Sequence, residues 1–380
     1  MVGVARICTV GILATVMMAC GPGAEGTSAT GSEASSGTTS GAPSELSATV
    51  AVADSTAAEP TDVDTTGPSA TESGESGSTG DPPESCESPI PNITVLACAR
   101  VGSAMAIADT TVFYTAQGGI LSVDAFDGMP PAVVTSEVGD MHAMRIHGPY
   151  LYWVAFSDGE LRRVHRDRGD VDVMGGLNKP GSVAVDDTFA YVTQYDADAS
   201  LVRVSLDTQT VEPLYPRLDF AGELNIGVDG GLYWALSTNN GNLPNPIVSG
   251  TTSGASMSTL YSDTGMVARM ILDEETLFVA RYRVGASSIE TTSLRSGATE
   301  TLAVPAYQPT ELAVGSSRVY WIEGGISDEM ETVWALKSVS RKGGDVDEHA
   351  VYDTSVAGLV VAQGNTPIFG SPLGVVRLGP

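Results

Sequence analysis

The chain has 380 residues and a formal net charge of −27, with 46 acidic against 19 basic side chains. So acidic a sequence lacks the phosphate-neutralising surface that a nucleic-acid binder needs, and its four cysteines are too few for a disulfide scaffold or a zinc-ribbon array. A hydrophobic content of 42% can build a large core, and length alone suggests two or three domains.

Residues 1–19 read as a signal peptide. Arg6 is followed by the apolar run Ile7 to Met18, which has the length of a signal h-region and falls short of the roughly 20 residues that span a bilayer. The run closes on Val16-Met17-Met18-Ala19-Cys20-Gly21. This resembles a bacterial lipobox, with Met17 where leucine is usual. The resemblance implies that Cys20 becomes the first mature residue and carries acyl chains. Several chains on one residue anchor stably to a membrane, so the expected location is the bacterial cell envelope, facing the periplasm or outward.

Residues 20–85 join that cysteine to a tether. From Gly21 to Ser85 the sequence holds 11 acids, no lysine or arginine and no aromatic residue. Such a segment buries too little apolar surface to offset its ordering entropy. As a self-repelling coil it has a root-mean-square span of roughly 40–50 Å or more. Its Ser, Thr and Pro content permits O-glycosylation.

Residues 86–380 carry the remaining charge of −17 (35 acids, 18 bases) and a repeat. Each copy begins with a short apolar strand: Met105-Ala106-Ile107, Met144-Arg145-Ile146, Val183-Ala184-Val185, Leu224-Asn225-Ile226, Met270-Ile271-Leu272 and Leu312-Ala313-Val314. A second strand centred on an aromatic follows, as in Val112-Phe113-Tyr114 and Leu151-Tyr152-Trp153. A seventh copy reads Leu359-Val360-Val361, then Pro367-Ile368-Phe369. The central residues of the second strands are spaced by 39, 39, 42, 45, 42 and 48. A period near 40–45 with about four short strands is the signature of a β-propeller. The expected fold is all-β, with seven four-stranded blades and six as the alternative.

The last copy has three strands, ending in Val375-Val376-Arg377-Leu378, while Ile93-Thr94-Val95-Leu96-Ala97 precedes the first copy unassigned. Ile93 to Ala97 is therefore expected to complete the last blade and close the ring, which leaves no open seam. Cys86 and Cys98 bracket this strand. Cys8 leaves with the signal and Cys20 is lipidated, so outside the cytoplasm these two are expected to form a disulfide.

The triplets Leu151-Tyr152-Trp153, Leu232-Tyr233-Trp234 and Val319-Tyr320-Trp321 resemble the aromatic motif of YWTD-type propellers, without its threonine and aspartate. Taken over residues 93 to 378, the chain resembles bacterial propeller lipoproteins with TolB-like and NHL-like repeats. The resemblance implies a fold and no particular activity, because propellers host binders and enzymes alike.

Catalytic signatures are sparse. His142, His147, His165 and His349 have no zinc-hydrolase spacing. The pairs Asp186-Asp187 and Asp196/Asp198 and the clusters Asp273 to Glu275 and Asp345 to Glu348 complete no calcium loop and suit turns. The sequence has no nucleophile elbow, phosphate loop or dinucleotide fingerprint. Ten of the 23 aromatics fall in the second strands of the first six copies, a regularity that favours packing between blades. Propeller ligands sit over the channel mouth, on residues leading into the inner strands. Here these include Asp140, His142, Asn178, Lys179, Glu223, Gln308 and Glu311, a mix able to bind a small polar ligand or a metal. No cofactor is implied and no catalytic residue is assigned. The expected function is a binding or scaffolding module for protein or glycan partners. The alternative is a lactonase- or esterase-type hydrolase, since lactonase-like propellers hold calcium with channel-facing Glu, Asp and Asn.

Overall fold

The computed structural model describes Ile90 and residues 92–379, apart from Gln117, Met129, Arg168, 196–199, Asp219, 238–243, Val284 and 327–330. The expected signal peptide, Cys20, the acidic tether and Cys86 lie outside the described residues, as do Asp196 and Asp198.

The described chain consists of strands and turns, with no helix, arranged as seven four-stranded antiparallel sheets. Blades 1 to 6 run in chain order from the inner strand outward. Their inner strands are Val101–Ala108, Met141–His147, Pro180–Val185, Phe220–Ile226, Met266–Asp273 and Gln308–Val314. Blade 7 takes Ala357–Ala362, Thr366–Ser371 and Gly374–Leu378 from the C-terminal end and Ile93–Ala97 as its outermost strand. The closing strand is antiparallel to its neighbour, with Ile93 opposite Leu378 and Val95 opposite Val376. Each inner strand touches the next around the circle, and that of blade 7 touches that of blade 1, so the ring is complete. Seven blades, closed by the N-terminal strand, is the arrangement the repeat predicts.

Local chemistry explains the strands. Second strands are runs of β-branched and aromatic residues, such as Tyr150–Ala155, in which Leu151 to Ala155 are all buried. Aspartates make the turns: Asp124 accepts from the backbone N–H groups of Phe126 and Asp127, and Asp186 from those of Thr188 and Phe189. The backbone donors on Asp124 hold its carboxyl below the usual range.

The core lies between blades. Trp153 packs with Phe113 across blades 1 and 2, Trp234 with Tyr191 across blades 3 and 4, and Trp321 with Phe278 across blades 5 and 6. Each such ring contributes about 4–6 kcal/mol of transfer free energy before entropy. Trp153 Nε1–H also donates to Val138 O at 2.9 Å, so its polar edge is satisfied.

Candidate functional site

The inner strands place charge in the channel at one level. Three consecutive copies carry a charged residue immediately before the first core apolar residue: Glu223 before Leu224, Arg269 before Met270 and Glu311 before Leu312. The corresponding positions of blades 7, 1, 2 and 3 are Gly358, Ala104, Ala143 and Ser182. At this position the residues of blades 4 to 6 are therefore charged and those of the other four blades are small.

The charges form a continuous ladder. Arg145 Nη2 lies 3.3 Å from Glu223 Oε2, and Arg269 Nη1 lies 3.1 Å from Glu223 Oε1. Arg269 Nε donates to Glu311 Oε2 at 3.1 Å and Nη2 to Glu311 Oε1 at 3.0 Å. Two cations thus balance two carboxylates across blades 2, 4, 5 and 6. Glu311, with Glu223 behind it, raises the Arg269 pKa against the opposing effect of burial. The side chains of Arg145 and Arg269 remain 37% and 36% exposed. Solvent screening therefore brings each pair nearer about 1 kcal/mol than the larger cost of breaking a fully buried one.

An aromatic run lies beside the ladder. The His142 and Phe156 rings stack with centroids 4.4 Å apart and planes 9° apart. Phe156 meets Tyr195 at 6.4 Å. The Tyr195 N–H donates to Lys179 O at 3.1 Å, and its ring lies over Gly181, where a Cβ would stand 1.8 Å from a ring carbon. Only glycine admits this arrangement. Burial pushes the Tyr195 phenol up to about 12; the Glu223 carboxylate adds to the rise and Arg269 opposes it. Burial against its surroundings also lowers the His142 pKa, with Asp140 pulling the other way.

The sequence-nominated residues separate into two groups. Glu223 and Glu311 are joined through Arg269, so both carboxylates proposed as metal ligands accept from a guanidinium. Asp140, exposed, accepts from Ser157 Oγ at 2.8 Å, two residues before His142. Asn178 donates its N–H to Gln194 Oε1 at 2.7 Å, and Lys179 is exposed with φ of 47°. Gln308 is exposed at the start of the inner strand of blade 6. Among the described residues no three His, Cys, Asp or Glu side chains come together to hold a metal ion. Arg145, Arg269, Phe156 and Tyr195 were not singled out from sequence. The signal for Arg269 was present, as the shared register of Glu223, Arg269 and Glu311 in successive copies. Cys98 is disulfide-bonded.

No family model matches the chain, and no curated protein matches it by sequence. Solved structures match by fold. A streptogramin B lyase aligns with a TM-score of 0.57 at 12% identity, over 75% of this chain and 95% of that one. An oligogalacturonate lyase from Vibrio parahaemolyticus gives 0.57 at 10%, over 74% and 90%. A nidogen/laminin complex gives 0.52 at 13%, over 67% and 99%. At these identities the likeness establishes the seven-bladed β-propeller and nothing finer.

Proposed function

We propose that this chain is an envelope-tethered binding module, anchored through lipid at Cys20, whose protein or glycan partner docks over the channel mouth. The sequence supports the anchor: an apolar leader, a lipobox-like ending and a 65-residue acidic tether between Gly21 and Ser85. The observation that carries the docking face is the His142–Phe156–Tyr195 run beside the ladder. It offers apolar ring surface next to charges that are already compensated, the combination that binding surfaces use. A hydrolase drawing a metal onto Glu223 and Glu311 would first have to displace Arg269 from both. Among fold neighbours, nidogen is seen in complex with laminin and two others are lyases, so the fold accommodates either use.

Two experiments test the reading. Fatty-acid labelling in cells is expected to mark the wild type and to vanish in Cys20→Ser; labelling that survives removes the anchor. Surface plasmon resonance over immobilised peptidoglycan fragments and envelope glycans, with photo-crosslinking at position 156 for protein partners, is expected to show binding at least ten-fold weaker in Phe156→Ala. Hydrolysis of a lactone panel by the wild type, abolished in Glu223→Gln, would replace the binder with the hydrolase.

A further inference from the structure

The second strands of six blades have six or seven residues, whereas that of blade 6, Arg318–Ile326, has nine. Its inner neighbour stops pairing at Gln308, opposite Gly324. Gly325 and Ile326 pair only outward, with Val333 and Thr332. Ring closure does not require this extension. Gly324 and Gly325 of the extended strand wall a cleft of about 480 Å³, completed by Tyr282 at the end of the second strand of blade 5 (Thr276–Tyr282), by Arg283 and Ser287 beyond it, and by Tyr307 and Gln308 at the entry to the inner strand of blade 6. That volume lies within the range of about 300–1,000 Å³ that small-molecule sites occupy.

The lining has a definite chemistry. A Cβ on Gly325 would lie 2.5 Å from the Tyr307 ring, and one on Gly324 would lie 2.6 Å from the Trp334 ring. The glycine pair is what lets Tyr307 lie against the strand while Trp334 packs behind it. Arg283 is committed: its Nη2 donates to Asp263 Oδ2 at 2.6 Å and to Thr264 O at 2.9 Å. Ser287 Oγ has only a 3.5 Å contact to Arg283 O. The Gln308 amide and the Tyr282 and Tyr307 hydroxyls have no intramolecular hydrogen bond among the described residues. The cleft thus combines aromatic surface, neutral donors and acceptors still available, and a cation whose charge is already answered.

We infer that this cleft binds a neutral saccharide, its ring packed on Tyr307 and its hydroxyls bonded by Gln308 and Ser287. A sugar ring has apolar faces and hydroxylated edges, which matches an aromatic beside an amide and a hydroxyl. A carboxylated sugar would find Arg283 occupied by Asp263. The cleft is separate from the His142–Phe156–Tyr195 run, and the inference stands whether or not a partner docks there.

Isothermal titration and saturation-transfer NMR on the intact protein, with maltose, cellobiose, N,N′-diacetylchitobiose and an uncharged hexapeptide as probes, decide the matter. At least one disaccharide is expected to bind, and to bind at least ten-fold more weakly in Tyr307→Ala and in Gly325→Ala. Gln308→Ala, an exposed position, gives the same readout should Gly325→Ala fold poorly. Three silent disaccharides, disaccharide binding indifferent to Tyr307→Ala and Gln308→Ala, or binding of the hexapeptide alone would each overturn the inference.

Discussion

Arg269 holds Glu311 by two parallel hydrogen bonds, Nε to Oε2 at 3.1 Å and Nη2 to Oε1 at 3.0 Å, while its Nη1 reaches Glu223 at 3.1 Å. One guanidinium therefore joins the inner strands of blades 4, 5 and 6. The fork geometry of arginine suits this task, and a lysine could not reproduce it. Arg269→Ala leaves two carboxylates without their shared cation. The expected cost is about 1–3 kcal/mol, discounted for the partial exposure of the pair. It is read as a lower urea midpoint at unchanged slope. Arg269→Ala combined with Glu311→Gln is expected to cost less than the sum of the two single changes; strict additivity would show that the groups are not coupled.

The seam of the ring is sensitive at one glycine. Gly374 has φ of +123°, and a Cβ there would stand 2.0 Å from Ala97 O on the closing strand. Gly374→Ala is expected to cost about 2–4 kcal/mol through backbone strain and collision with backbone. Hydrogen exchange should speed up first across Ile93–Ala97 and Gly374–Leu378. Unchanged protection in both strands would count against this account of the seam.

The disulfide at Cys98 fixes the chain just after the closing strand. We propose Cys86 as its partner, since Cys8 and Cys20 fall in the proposed leader and at the proposed lipid anchor. The loop so closed has a chain-entropy value of about 2–3 kcal/mol. Cys98→Ser is expected to lower the unfolding free energy by that amount, and reductant should do the same to the wild type only. Alkylation of the unreduced wild type at both positions would rule out the pairing.

His349 lends the fold a pH dependence. Its Nε2 lies 2.7 Å from Ser338 Oγ, which also accepts from Arg318 Nε. Burial lowers the His349 pKa below its ordinary 6.5, and Arg318 lowers it further, against a smaller pull from Asp347. The folded state thus binds this proton less readily than the unfolded one. Stability is flat in this respect above about pH 6.5 and falls as pH drops through the interval down to the folded pKa. Urea midpoints from pH 8 to 5 should show a shallower acid slope in His349→Gln than in the wild type. Identical slopes would place the dependence elsewhere.

The ring was legible in the sequence because its information is local and repeated. The Tyr152-Trp153, Tyr233-Trp234 and Tyr320-Trp321 pairs mark a strand at each period, and the three-stranded last copy announces the fourth strand at Ile93. The ladder was less legible. Arg145 and Glu223 are 78 residues apart and Arg269 and Glu223 are 46 apart, and no short-range pattern encodes such partners. Glu223 and Glu311 were recognisable as channel-facing acids, but the cation between them emerges only when successive copies are aligned in register. The cleft beside Tyr307 depends on two extra residues in one hairpin, and a repeat pattern averages such a difference away.

The closing strand also sets a timetable. Ile93–Ala97 emerges first among the strands of the ring, yet its partner Gly374–Leu378 is made about 280 residues later, which at cellular elongation rates is roughly 15–55 s. Throughout that interval a short apolar strand waits with no edge to join, and the ring cannot acquire its final cooperativity until Gly374–Leu378 has been made. Loss of Gly374–Leu378 therefore removes the partner of the earliest strand of the ring, and damage on one side of the seam registers on the other.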